Sequence, residues 1–233
     1  MIAAIVEEQI IFSSGPIRLR GVLAYPEEAA PGRAVLMCSP HPHFAGDMNN
    51  NVIGAVARRL AVGAVVLRFD YRGVGDSEIS LEPDVSVFDY WTQIEDTKDY
   101  REPVQDVAAA AQALREATQS YSAELCVVGY SFGAVTGMMF AQQTGDVHKM
   151  VAIAPPLGKV SFEFLGGCAK PSLHLLGRGD FLYSDERLEA YRKAVGPEGK
   201  IVVLENADHF FRADEDMLAQ KVEQFLGGPE GEK

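Results

Sequence analysis

The sequence is poor in what would tie it to an oxidising compartment, a bilayer or a polyanion. Its three cysteines, Cys38, Cys126 and Cys168, form neither a CxxC pair nor an even framework. That excludes a disulfide scaffold and points to a reducing, cytoplasmic compartment. Apolar runs such as 125–128 and 150–156 fall far short of the roughly 20 residues that span a bilayer. The first residues hold no basic stretch leading into an apolar one with a small-residue cleavage site, so an unexported protein is expected. Positive charge is also scarce. Against 33 Asp and Glu stand 21 Lys and Arg, a net charge of -12, and such a surface repels nucleic-acid phosphates and anionic lipid heads. Neither nucleic acid nor a membrane is expected as a partner. Internal repeats are absent, and the one compositional tail is the Gly/Glu/Pro stretch at 227–233.

What is present suits a soluble domain with a sizeable core: 233 residues, 47% hydrophobic and 23% charged. One domain over residues 1–226 followed by a disordered tail at 227–233 is the expectation. Residues 2–12 and 17–25 are β-rich runs around Ser13-Ser14-Gly15-Pro16, the chemistry of a hairpin turn. After Pro31-Gly32 come short, nearly continuous apolar runs at 34–38, 64–69, 125–129, 151–154, 173–177 and 201–204, which is how parallel strands covered on both faces read. Helical spacing or composition falls between them at 51–60, 103–118, 132–143, 185–195 and 213–225. The fold class is therefore α/β, a doubly wound, mainly parallel sheet with an antiparallel N-terminal strand pair. Residues 75–101 show no helix or strand pattern, yet hold Phe88, Tyr90, Trp91 and Tyr100 among many acids. A loop of that length is read either as a pocket rim or as a plain insertion.

Chemistry concentrates at Gly129-Tyr130-Ser131-Phe132-Gly133, between a strand pattern and a helix pattern. A nucleophile on a sharp strand-to-helix turn needs small residues two positions either side, and the turn lifts the Ser131 hydroxyl to a helix N-terminus that favours negative charge. Serine also needs a general base, and the base an acid that holds its tautomer. Asp180 follows the strand run 173–176 and His209 follows 201–204, so all three emerge at the carboxyl edge of a parallel sheet, in the order Ser, Asp, His. Asp185 competes for the acid role but is better placed to begin a helix, and Asp208 is too close in sequence to face His209. His148 and His174 belong to the strands. The loop Ser39-Pro40-His41-Pro42-His43-Phe44-Ala45-Gly46-Asp47 follows another strand and is placed to supply an oxyanion donor beside the amide of Phe132. Prolines have no N–H, which leaves His43, or failing that Phe44. A rival reading takes His41, His43 and Asp47 as part of a di-metal set, but Ala45 stands where a ligand is needed.

With Met48-Asn49-Asn50-Asn51, the run from Leu67 to Ser77 (LRFDYRGVGDS), Gly177 to Asp180 and Asp208-His209, these motifs resemble the α/β-hydrolase superfamily over nearly the whole chain. Within it the sequence is most similar to small, cap-poor hydrolases related to dienelactone hydrolase and acyl-peptidase-like esterases. The resemblance implies Ser131, Asp180 and His209 as triad, amides of Phe132 and His43 as oxyanion hole, and no sizeable cap, since residues 155–171 are too few to build one. It departs from the pattern in the long 75–101 segment.

The expectation is a serine-dependent hydrolase that cleaves small or short-chain carboxylic esters through an acyl-enzyme, without metal or cofactor. Phe44, Trp91, Phe132, Phe162 and Phe164 are the candidate pocket walls. Thioester or peptide cleavage would use the same residues, and a non-hydrolysing binding protein would keep them without turnover. Haloalkane chemistry needs a carboxylate where Ser131 stands. The sheet edges and the aromatic segment leave room for a homodimer, which no pattern demands.

Overall fold

The computed structural model describes residues 4–28, 31–120 and 122–227. Two ten-residue strands, β1 (Ile5–Ser14) and β2 (Ile17–Pro26), turn at Gly15-Pro16 and pair antiparallel from Ile5 opposite Pro26 to Ser14 opposite Ile17. Thereafter strands and helices alternate: β3 (Arg33–Cys38), α1 (Asn51–Leu60), β4 (Val65–Phe69), α2 (Val87–Thr97), α3 (Arg101–Thr118), β5 (Glu124–Tyr130) and α4 (Phe132–Gln143). Then come β6 (Val147–Ile153), β7 (Ser172–Gly177), α5 (Asp185–Val195), β8 (Gly199–Leu204) and α6 (Glu215–Gly227). The eight described strands form one sheet in the order β1-β2-β4-β3-β5-β6-β7-β8, antiparallel up to the β2–β4 pair and parallel from β4 onward. The architecture is the α/β-hydrolase fold.

The continuous apolar runs are explained by burial on both faces. In β3, Ala34, Leu36 and Cys38 join the layer of α2, α3, α4 and α5, while Val35 and Met37 join the layer of α1 and α6. β5 alternates in the same way, Leu125 and Val127 to one side and Cys126 and Val128 to the other. No helix among the described residues is long and apolar enough to cross a membrane. Between β6 and β7, residues 154–171 contain only the 3₁₀ turn Glu163–Leu165, and no sizeable cap is built there. Gly227, expected to open the tail, is instead the last residue of α6, and residues 228–233 of that expectation lie outside the described residues.

The main correction concerns 75–101, which carries a helix. Ser86 caps α2, accepting from the Asp89 amide while the Asp89 carboxylate accepts from the Ser86 amide. Tyr90, Trp91 and Ile94 are its buried face, and its end is marked by Lys98 in the left-handed region rather than by glycine. Eight acids in the segment masked this short apolar stripe. Helix α3 likewise starts at Arg101, two residues before Pro103.

A buried ion pair joins three of these parts. Asp106, on α3 and fully buried, accepts from the backbone and guanidinium of Arg72, just after β4, and from the Ser14 hydroxyl at the β1–β2 turn (2.7 Å). Every lone pair direction of that carboxylate is thus used, which is the condition for holding a charge in a core.

Candidate active site

Four loops at the carboxyl edge of the parallel strands build the site: those after β3, β5, β7 and β8. The turn after β5 is strained. Ser131 sits at φ 53° and ψ -112°, positive φ on a residue with a side chain. Its amide is used by the Ile153 carbonyl of β6 (2.8 Å). The neighbouring glycines are required by close approach: a Cβ on Gly129 would lie 2.1 Å from the Gly133 carbonyl oxygen, and one on Gly133 would lie 2.1 Å from the Cys38 oxygen. The helix that follows thereby enters directly against β3 with Ser131 at its head.

His209 Nε2 lies 3.2 Å from Ser131 Oγ, and His209 Nδ1 lies 2.6 Å from Asp180 Oδ2. A carboxylate can only accept here, so the proton is on Nδ1 and Nε2 is free to accept from the serine hydroxyl. The second Asp180 oxygen accepts from the Leu182 amide (2.7 Å), which fixes the carboxylate, and the Tyr130 hydroxyl donates to the His209 carbonyl (2.8 Å), which fixes the loop. Asp180 and His209 are both buried. The competing acids are engaged elsewhere: Asp208 accepts from the amides of Phe210 and Phe211, and Asp185, the first residue of α5, pairs with Arg178. Burial pushes the Cys38 thiol up to about 12 and the Cys126 thiol to about 11, so neither is a competing nucleophile.

The loop after β3 departs from its expected role in one respect. The Phe132 amide, first in its helix, has no acceptor within α4. The His43 amide, however, donates to His41 Nδ1 (3.2 Å), and the Phe44 amide to the His41 carbonyl (2.9 Å). The His41 ring is buried edge-on against Trp91 and Phe132, and burial lowers its pKa to about 4, so it is the neutral acceptor that takes the His43 amide. Among the described residues no three His, Cys, Asp or Glu side chains converge as metal ligands, so His41, His43 and Asp47 do not form the rival set. The loop is anchored from below, where Asp70 accepts from the Met48 amide (2.7 Å); burial raises this carboxyl to about 6.

A cavity of about 180 Å³ opens beside Ser131 and His209, walled chiefly by Phe44, Tyr100, Phe132, Val135, Phe181 and Phe210. Of the five side chains expected as walls, Phe44 and Phe132 are there. Trp91 lies behind the site, 1% exposed, against Tyr71 and Phe132, and Phe162 packs on Tyr191 with Phe164 beside it. These three face the core because a large ring is placed by the packing of its own element, which the local sequence does not display. Phe181 and Phe210 were legible in principle, each being the residue after a proposed triad member. Tyr100, Glu95 and Lys159 carried no such signal.

Comparison with known proteins gives the family and the fold. A sequence model described as "Alpha/beta hydrolase family" matches residues 31–223. The Rickettsia prowazekii (strain Madrid E) protein RP471, uncharacterized, is 28% identical over 230 residues, covering 94% of this chain and 88% of that one. The crystal structure of ATU1826 from Agrobacterium tumefaciens superposes with a TM-score of 0.78 at 25% identity, covering 94% of this chain and 95% of that one. An alpha-beta serine hydrolase homologue from Coxiella burnetii does so at 0.76 and 23% identity, covering 94% and 97%.

Proposed function

The chain belongs to the alpha/beta hydrolase family, and on that premise we propose that it is a serine hydrolase cleaving carboxylic esters of small or short acyl groups. The observation that carries the reading is the hydrogen-bonded series Ser131 Oγ, His209 Nε2, His209 Nδ1, Asp180 Oδ2 at 3.2 and 2.6 Å, headed by a serine in strained backbone at a helix N-terminus. Ser131 attacks the ester carbonyl as His209 takes its proton. The imidazolium is stabilised by Asp180, and the proton then passes to the departing alcohol. Water activated by His209 releases the acid. The Phe132 amide donates to the oxyanion. The His43 amide joins it by leaving His41 Nδ1, because an oxyanion is a stronger acceptor than a neutral imidazole and its present bond is long, at 3.2 Å.

A cavity of about 180 Å³ with mainly aromatic and aliphatic walls suits a short acyl group. The test is intact mass after treatment with a fluorophosphonate, on the wild type and on Ser131→Ala, alongside hydrolysis of p-nitrophenyl esters of graded chain length. One adduct that vanishes in the variant together with hydrolysis is expected. A folded wild type that forms no adduct would sink the reading and leave a binding protein.

A further inference from the structure

Beyond Ser131, His41, His209 and Tyr100, the lining of the cavity is apolar but for two charged side chains, Glu95 and Lys159. Glu95 is neutralised by Lys98 at 3.0 Å. Lys159 has no carboxylate partner among the described residues, in a chain whose net charge is -12. Its position is built. Lys159 closes a four-residue turn, its amide donating to the Pro156 carbonyl (3.2 Å), with Gly158 at φ +73° inside it. Arg187 of α5 lies directly on that turn: a Cβ at Gly158 would meet Arg187 Nε at 2.6 Å. The Arg187 guanidinium donates to the carbonyl of Leu182 (3.1 Å), itself a cavity residue, and it too has no carboxylate partner among the described residues.

Lys159 thus stands exposed at one edge of the cavity without a carboxylate partner, and Arg187 lies against the turn that carries it. Asp180 is held by His209 and Asp185 by Arg178, while Glu163, Glu186 and Glu189 line a separate groove with Lys193. The overall charge of the molecule disfavours approach of an anion, so a local positive edge is what would let one bind. We propose that Lys159, with Arg187 behind it, is a specificity-determining residue that selects esters carrying a carboxylate beyond the scissile bond. The ester's apolar chain lies along the cavity and its carboxylate meets the Lys159 ammonium at the edge. The proposal rests on the serine hydrolase reading above and names the substrate class for it.

The test compares mono-p-nitrophenyl adipate with methyl p-nitrophenyl adipate, which share chain and leaving group and differ in the terminal charge. The readout is the ratio of their kcat/KM values, anionic over neutral, in the wild type, Lys159→Met and Lys159→Glu, with Ser131 labelling by a neutral fluorophosphonate to show that each protein has an assembled site. A charge-assisted hydrogen bond corresponds to a fall of about tenfold in that ratio for Lys159→Met. Lys159→Glu lowers it further, and added salt lowers the wild-type ratio. An unchanged ratio in Lys159→Met, with Ser131 still labelled, overturns the assignment and leaves the hydrolase reading intact. Absence of both labelling and hydrolysis in the wild type overturns the two together.

Discussion

Asp180 and His209 stand 29 positions apart in the chain and meet at 2.6 Å, whereas Asp208, the immediate neighbour of His209, turns to the amides of Phe210 and Phe211. Adjacent residues on a loop point apart. Residues at the ends of adjacent parallel strands, β7 and β8, point to the same place.

That relationship sets the effect of Asp180→Asn. The amide oxygen can still accept from Leu182, but the amide nitrogen cannot accept from Nδ1, so His209 moves its proton to Nε2 and loses its basic nitrogen. A fall in kcat of roughly 10³ to 10⁴ is expected, with the urea midpoint little changed. Retention of more than a tenth of wild-type kcat on p-nitrophenyl acetate would show that Asp180 is not the orienting acid.

The glycines of the elbow differ sharply from those elsewhere. Gly133→Ala puts a methyl 2.1 Å from the backbone oxygen of Cys38, while Gly145 has nothing within 4 Å of the same added atom. Gly133→Ala should lower stability by at least about 2 kcal/mol, and Gly145→Ala should stay within about 0.5 kcal/mol of wild type. Urea unfolding of the pair checks this, and equal midpoints would mean that the elbow relaxes.

Asp106 is the second structural test. Truncation to Ala leaves the buried Arg72 guanidinium and the Ser14 hydroxyl without their acceptor, at an expected cost of about 3–5 kcal/mol. Calorimetry or urea unfolding measures it. A loss below about 1 kcal/mol would show that water or Glu102, which also pairs with Arg72, takes over the charge.

Acid should destabilise the fold through His174. Its ring is buried between the Tyr191 hydroxyl at 2.7 Å and the Ser172 hydroxyl at 2.9 Å, and burial lowers its pKa from the ordinary 6.5 to about 4. The unfolded chain binds a proton below 6.5 that the folded chain refuses until about 4. Stability from this group is therefore present above 6.5 and lost as pH falls through 4, on the order of 3 kcal/mol by pH 4. His41, lowered to about 4 by its own burial, adds in the same direction. Urea midpoints between pH 7 and 4.5 should fall less steeply in His174→Gln than in the wild type. Parallel slopes would remove His174 from the account.

Much of this was legible before any coordinates. Burial of parallel strands on both faces forces runs such as 34–38 and 125–129 to be apolar without alternation, and the helices at 51–60, 132–143 and 185–195 fall at the same bounds in the structure. Ser131 could be read from its glycines, because the elbow admits no Cβ at either flank. Strand order then put Asp180 and His209 on the same edge.

What escaped the sequence depends on contacts between distant segments. Helix α2 is short, acidic and ended by Lys98 in place of glycine, and it is held by Trp91 in a pocket of His41, Tyr71 and Phe132 that exists only once β3, β4 and α4 are assembled. The same holds for Trp91, Phe162 and Phe164, whose aromatic character was evident but whose direction was decided by their neighbours. The His43 amide could be named as a donor from the prolines around it, yet its turn toward His41 Nδ1 follows from the folded loop. Local chemistry thus determined which residue types stand at the carboxyl ends of the strands, since nucleophile, base and acid are fixed by what each must do with a proton. Tertiary packing alone decided which walls, charges and amides surround them, because those are set by segments that the chain order keeps far apart.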